Sequence, residues 1–146
     1  MAEDKEKAFY WYEKSAQQNY AHAQLKLGFC YSSGNSVAQD KFKAAYWYEK
    51  TAQQGDVYAK NILPAVWACL ADCYDTGEGL PMDMSKAVYW YEKAAEKRLS
   101  SAQYLLAVHY YYGMGIAQNR TKAKDWYEKA ADQGYEAAKK ALREHY

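Results

Sequence analysis

The stretch Lys86-Ala87-Val88-Tyr89-Trp90-Tyr91-Glu92-Lys93-Ala94-Ala95 decides the fold, because the chain carries it four times. The copies read KAFYWYEKSA from Lys7, KAAYWYEKTA from Lys43, KAVYWYEKAA from Lys86 and KAKDWYEKAA from Lys122. Their tryptophans, Trp11, Trp47, Trp90 and Trp126, are 36, 43 and 36 residues apart. Self-similarity at such a period marks an array in which each unit buries its apolar face only against its neighbours.

Working outward from the Trp, Asp4, Asp40, Asp83 and Asn119 each stand seven residues before it. All four are N-cap types, able to accept from the open N–H groups of a first helical turn. Eight residues after each Trp come Asn19, Gly55, Arg98 and Gly134. Gly and Asn tolerate the left-handed conformation that closes a helix, whereas Arg98 predicts strain or a different cap shape. Each copy is therefore one helix of about four turns, a B helix.

An A helix follows each B helix: AHAQLKLGFCY from Ala21, PAVWACLADCY from Pro64 and AQYLLAVHY from Ala102. Leu27, Leu70 and Leu106 recur in one register, followed by the small residues Gly28, Ala71 and Ala107, which allow close helix approach. Gly34, Gly77 and Gly113 end these helices. The loops GNSVAQD, GEGLPMD and GMGIAQN each keep one apolar residue, Val37, Leu80 and Ile116, to plug a gap between layers, and Ser36 stands where the others have Gly79 and Gly115.

The longer middle spacing adds seven residues, about two turns, which keeps nearly the same face inward. The spacing predicts one long A helix from about Val57 to Asp75, capped by Asp56 and kinked near Pro64, because proline removes a backbone bond and crowds the previous turn. YEAAKKALREHY is a final, more polar A helix. The expected layout is a lone B helix over 4–19, repeats over 20–56, 57–98 and 99–134, and a capping helix over 135–146, a single all-α domain spanning 1–146.

Composition narrows the function class. Nineteen basic and eighteen acidic residues leave a net charge of +1, with no electrostatic footprint for nucleic acid. Half the residues are apolar letters, yet the mean hydropathy is -0.70, because 17 tyrosines carry large rings with polar tips. No run of 18 apolar residues occurs, so insertion into a membrane is not expected. Three cysteines and no signal-like opening favour a reducing, cytoplasmic setting, and the mid-repeat start leaves a periplasmic one open if the chain is a fragment.

Taken together, A-x-x-x-L-G-x-x-Y-x-x-G-x-G-[VIL]-x-x-D-x-x-K-A-x-x-W-Y-x-K-A-A-x-x-G resembles the Sel1-like repeat, a relative of the tetratricopeptide repeat, over residues 4–146. Ser36, Arg98, Asp125 and the seven-residue insert depart from the pattern. The resemblance implies a right-handed α-solenoid of about eight antiparallel helices, a non-enzymatic scaffold for a protein or peptide partner. The resemblance also implies an alternative, an immunity protein that neutralises a bacterial toxin by direct binding.

By analogy with tetratricopeptide repeats, non-core positions of the A helices face a concave groove. They are His22, Phe29 and Ser33, then Asp72, Asp75 and Thr76, then Tyr104, Val108, Tyr111 and Tyr112. Phe29, Asp72, Asp75, Tyr104, Val108, Tyr111 and Tyr112 are the candidate partner-binding residues: aromatic anchors with acidic groups for a neighbouring basic residue. Tyr104, Tyr111 and Tyr112 are expected to stand outside the core, since Leu106, Ala107 and Tyr110 already fill that helix's packing role.

The Trp-Tyr pairs recur at helical spacing and read as core packing. The Tyr before each Trp, at Tyr10, Tyr46 and Tyr89, makes an alternative lateral stripe, broken by Asp125 in the fourth copy. Cys30, Cys69 and Cys73 suggest a metal- or redox-responsive regulator as a further alternative. Equivalent positions in stacked helices lie about 8–10 Å apart, too far to converge on one ion, so no metal or other cofactor is expected. Cys69 and Cys73 sit one turn apart on one helix, a poor disulfide geometry. No catalytic set is present: GEG and GMG join helices rather than following a strand, and no Ser, His and Asp share a pocket. Self-association through open solenoid ends is a further expectation.

Overall fold

The computed structural model describes the backbone of residues 2–78 and 80–146 and the side chains of 4–78 and 80–146. Eight helices and no strand occur among the described residues: α1 (Ala2–Gln17), α2 (Ala21–Ser33), α3 (Lys41–Gln53), α4 (Val57–Thr76), α5 (Met84–Glu96), α6 (Ser100–Tyr112), α7 (Arg120–Asp132) and α8 (Glu136–His145). Gly79, read above as a loop position, lies outside the described residues. The contacts divide the chain into two compact units, residues 1–66 and 67–146.

The helix starts follow the caps. Asp40, Asp83 and Asn119 accept from the backbone N–H of Lys43, Lys86 and Lys122 at 3.0, 3.1 and 2.9 Å. Asp56 accepts from Ala59 N at 2.8 Å and opens α4. The Asp4 expectation is corrected, because α1 already begins at Ala2 and Asp4 falls inside its first turn. An acidic residue there still faces the positive end of the helix.

Every B helix closes in the same way. Asn19, Gly55, Arg98 and Gly134 all adopt left-handed φ, at 70°, 92°, 67° and 87°. The N–H of the next residue reaches back across the last turn, as Leu99 N does to Ala94 O at 3.3 Å, in a Schellman pattern. Arg98 therefore keeps the common shape and accepts the strain of a side chain in the left-handed region. Ser36 does likewise at φ 68°, the setting Gly115 takes at 73°.

α4 is one unbroken helix of 20 residues, against 13 for α2 and α6, and it runs through Pro64. The phase argument holds along it: Ala59, Leu63, Trp67, Leu70 and Tyr74 are all buried.

In the first unit α2 packs between α1 and α3, and Ala16, Ala23 and Leu27 form a core flanked by Phe9, Tyr12 and Trp47. A Cβ on Gly28 would lie 2.4 Å from the Tyr48 ring, so only glycine permits this approach. In the second unit α5, α6, α7 and α8 pack in sequence around Leu106, Ala107, Tyr91 and Tyr127.

The core reading of the Trp-Tyr pairs needs dividing. Tyr48, Tyr91 and Tyr127, each directly after its Trp, are 1–2% exposed and carry the packing. Trp47, Trp90 and Trp126 are half-buried, and Trp11 is 62% exposed. Neighbouring residues are about 100° apart on a helix, so both rings of a pair cannot point into one seam.

Candidate partner-binding site

The core tyrosines set the chemistry of the A-helix face. Tyr48 and Tyr91 direct their hydroxyls at the A helix before them, and the groups they meet differ by unit. Burial raises Tyr48 to about 12, with Ser32 beside it as a hydrogen-bond partner. Tyr91 donates to Asp72 Oδ1 at 2.5 Å and lies 3.4 Å from Asp75 Oδ2. Burial, reinforced by these two carboxylates, pushes the Tyr91 phenol far above its ordinary value.

His109 of α6 joins this cluster. Its ring is 1% exposed, with Nδ1 2.9 Å from Met114 O and Nε2 3.5 Å from Asp75 Oδ2. The carbonyl can only accept, so Nδ1 carries the proton, and Nε2 has no hydrogen-bond partner. Neither Asp72 nor Asp75 pairs with a lysine or arginine among the described residues. The cluster thus offers more acceptors than donors.

The aromatic candidates are placed unevenly. Tyr104 is half-buried between Tyr127 and Tyr135, with ring centroids 5.8 and 5.3 Å away. Burial, and then Tyr135 and Tyr112, raise its phenol. Tyr111 stacks on His145 at 4.4 Å, touches Tyr146 edge-on at 6.3 Å and carries the Arg120 guanidinium at 4.7 Å. Tyr146 then donates to Arg120 O at 2.6 Å. The expectation that all three rings escape packing is therefore revised: of the three, Tyr112 alone is exposed, at 59%. It lies three residues after His109, on the same side of α6. Val108 is half-buried on α6.

In the first unit, half-buried Phe29 meets Tyr48 at 5.9 Å and the exposed Tyr58 at 5.6 Å, both edge-on. His22 and Ser33 are exposed there, as is Thr76 at the end of α4. The lateral residues Tyr10, Tyr46 and Tyr89 are 49%, 49% and 55% exposed. Each packs edge-on against its Trp, with Lys14, Lys50 and Lys93 over the rings. No disulfide joins Cys30, Cys69 or Cys73, which are half-buried, exposed and buried in that order. No three His, Cys, Asp or Glu side chains converge as metal ligands among the described residues, and none of their helices is long and apolar enough to cross a membrane.

Sequence reasoning missed the buried Gln24 and Gln103, which hold the same register three residues before Leu27 and Leu106. Each donates to a carbonyl in the last turn of the preceding B helix and accepts from a glutamine 30 residues on. Their repetition in register was the available signal. It also missed Tyr135, Arg120 and His145 as partners of the candidate tyrosines; a helix not yet placed gives no such signal.

The sequence profile of the Sel1 repeat matches residues 1–20, 21–56, 70–98 and 100–135. The unmatched stretch 57–69 contains the seven-residue insert. No curated protein matches the chain. Among solved structures, a Sel1 repeat protein from Oxalobacter formigenes is similar at 36% identity and TM-score 0.66, over 91% of this chain and 95% of that one. The protective antigen c5321 of uropathogenic Escherichia coli, described as displaying an SLR fold, is 34% identical with TM-score 0.61 over 89% of this chain. This chain spans only 26% of that antigen's length. Helicobacter pylori cysteine rich protein B is 26% identical with TM-score 0.56, over 94% of each chain. With its repeats matched over most of their length and helices that alternate in the expected order, the chain belongs to the Sel1 repeat family.

Proposed function

We propose that this protein is a non-enzymatic interaction module that holds a partner protein or peptide on the A-helix face of its second unit. Sel1 repeats generally mediate protein–protein interaction. The observation that carries the placement is Tyr112, exposed at 59% beside a packed aromatic cluster and on the side of α6 that bears the Asp75–His109 contact. A ring in water gains roughly 25 cal/mol for each Å² that a partner covers. Tyr104 and Tyr111 form the firm wall behind it. Asp72 and Asp75, bonded to a phenol and facing a histidine, retain acceptor capacity for a basic side chain of the partner. The preferred ligand is thus a segment with an apolar anchor next to a lysine or arginine.

The test is site-specific photocrosslinking in the cells that make the protein. A benzophenone amino acid at position 112 should give a defined protein adduct, and one at position 89 should not. Adducts from position 89 alone would move the interface to the lateral tyrosines, which are similarly exposed.

A further inference from the structure

The two units hold one latch in two versions. In the first, Gln24 Nε2 donates to Ala16 O and to Asn19 Oδ1, both at 3.2 Å. Gln54 Nε2 donates to Gln24 Oε1 at 2.7 Å and reaches Asn19 Oδ1 at 3.4 Å. Two amides therefore converge on a single oxygen, that of Asn19. The second unit repeats the outer bonds, Gln103 Nε2 to Ala95 O at 3.2 Å and Gln133 Nε2 to Gln103 Oε1 at 2.9 Å. The convergent oxygen is missing, because Arg98 stands in the place of Asn19 and a guanidinium has no acceptor.

What replaces it is a cleft of about 470 Å³, with Gln103 and Gln133 as two of its polar walls and Trp126 as its aromatic one. Gln103 is 4% exposed, and its amide nitrogen donates to Ala95 O, where the Gln24 amide reaches both Ala16 O and Asn19 Oδ1. Arg98 lines the cleft in a strained backbone setting where Asn, or Gly as at Gly55 and Gly134, sits more easily. Lys129 lies over the Trp126 ring at 4.1 Å. Glu96 and Asp132 complete the lining, where the first unit has the neutral Gln17 and Gln53. Amide donors and a guanidinium call for an oxyanion. Two carboxylates in the same cleft call for a positive charge on the same molecule.

We propose that this cleft is a binding site for a small zwitterion. Its carboxylate takes the place that the Asn19 side-chain oxygen holds in the first unit. Its ammonium faces Glu96 and Asp132, and its apolar body lies along Trp126, displacing the Lys129 ammonium from the ring. An α-amino acid with an apolar side chain is the simplest such ligand. The site is independent of the A-helix face and stands or falls separately.

The test is a titration of the isotope-labelled protein followed through side-chain NMR signals, with L-phenylalanine, phenylacetate and phenethylamine as probes. L-Phenylalanine should shift the amide signals of Gln103 and Gln133 and the indole signal of Trp126, leaving those of Gln24 and Gln54 in place. Phenylacetate and phenethylamine, each lacking one charge, should bind roughly tenfold more weakly or worse. Arg98→Asn, which restores the first unit's closing oxygen, should abolish the response while keeping the helical circular dichroism. No shift up to the solubility limit, an equal response to phenylacetate, or binding that survives in Arg98→Asn would each overturn the proposal.

Discussion

The Tyr91 hydroxyl donates to the Asp72 carboxylate at 2.5 Å, so the most buried ring of α5 is tied to an exposed acid on α4. This bond links the packing of the second unit to the face proposed to meet a partner. Tyr91→Phe keeps the ring and removes the bond, and Asp72 can return to water. Its cost should be modest, about 1 kcal/mol in denaturant unfolding. Tyr91→Ala empties a core site and should cost about 3–5 kcal/mol.

Alkaline pH should destabilise the protein through its core phenols. Tyr48, Tyr91 and Tyr127 all have their phenols raised by burial, Tyr48 to about 12. A raised folded value means that the native state holds the proton more tightly than the unfolded chain. The stabilisation is complete below about pH 10, the ordinary tyrosine value, and is lost as pH rises towards the folded value. Thermal melts between pH 9 and 12 should show a steep loss from about pH 10 upward, and Tyr48→Phe should make it shallower while Tyr91 and Tyr127 sustain the rest. A flat profile over this range contradicts the reading of the phenols.

Arg98 sits at φ 67° where Gly55 and Gly134 serve the other repeats. Arg98→Gly relieves the Cβ clash and should stabilise the fold by about 1 kcal/mol, net of the looser unfolded chain. Calorimetric melting decides it, and an unchanged or lower Tm would mean that the arginine side chain supplies packing that outweighs its strain.

Gly28 faces the Tyr48 ring, and an added Cβ would come within 2.4 Å of it. Gly28→Ala should therefore cost about 1–3 kcal/mol by forcing the ring or helix aside. The Ala71 and Ala107 of the other A helices show that the register itself accepts alanine. The loss should be specific to Gly28, and a neutral Gly28→Ala would place Tyr48 differently.

Most of the fold was legible because the determinants are local and repeated. Asp40, Asp83 and Asn119 announce helix starts, the left-handed positions announce stops, and the seven-residue insert preserves phase along α4. Asp4 misled because an N-cap type also suits a first turn. The Trp residues misled because repetition alone does not say which of two adjacent rings faces inward. The candidate face was only partly legible. The periodicity of α6 sets Tyr112 apart, but the covering of Tyr111 by His145 and Arg120 depends on where two other helices come to lie. The hydroxyl of Tyr91 on Asp72 is a contact between residues 19 apart, invisible to spacing.

The most direct test of the interaction claim is calorimetric affinity for the crosslinked partner once it is identified, compared between wild type and Tyr112→Ala. The account predicts a loss of about 1–3 kcal/mol for Tyr112→Ala, with an unchanged Tm, and a further salt-sensitive loss for Asp72→Lys. Full affinity in both variants, together with a loss in Tyr46→Ala or Tyr89→Ala, would contradict it and assign binding to the lateral tyrosines.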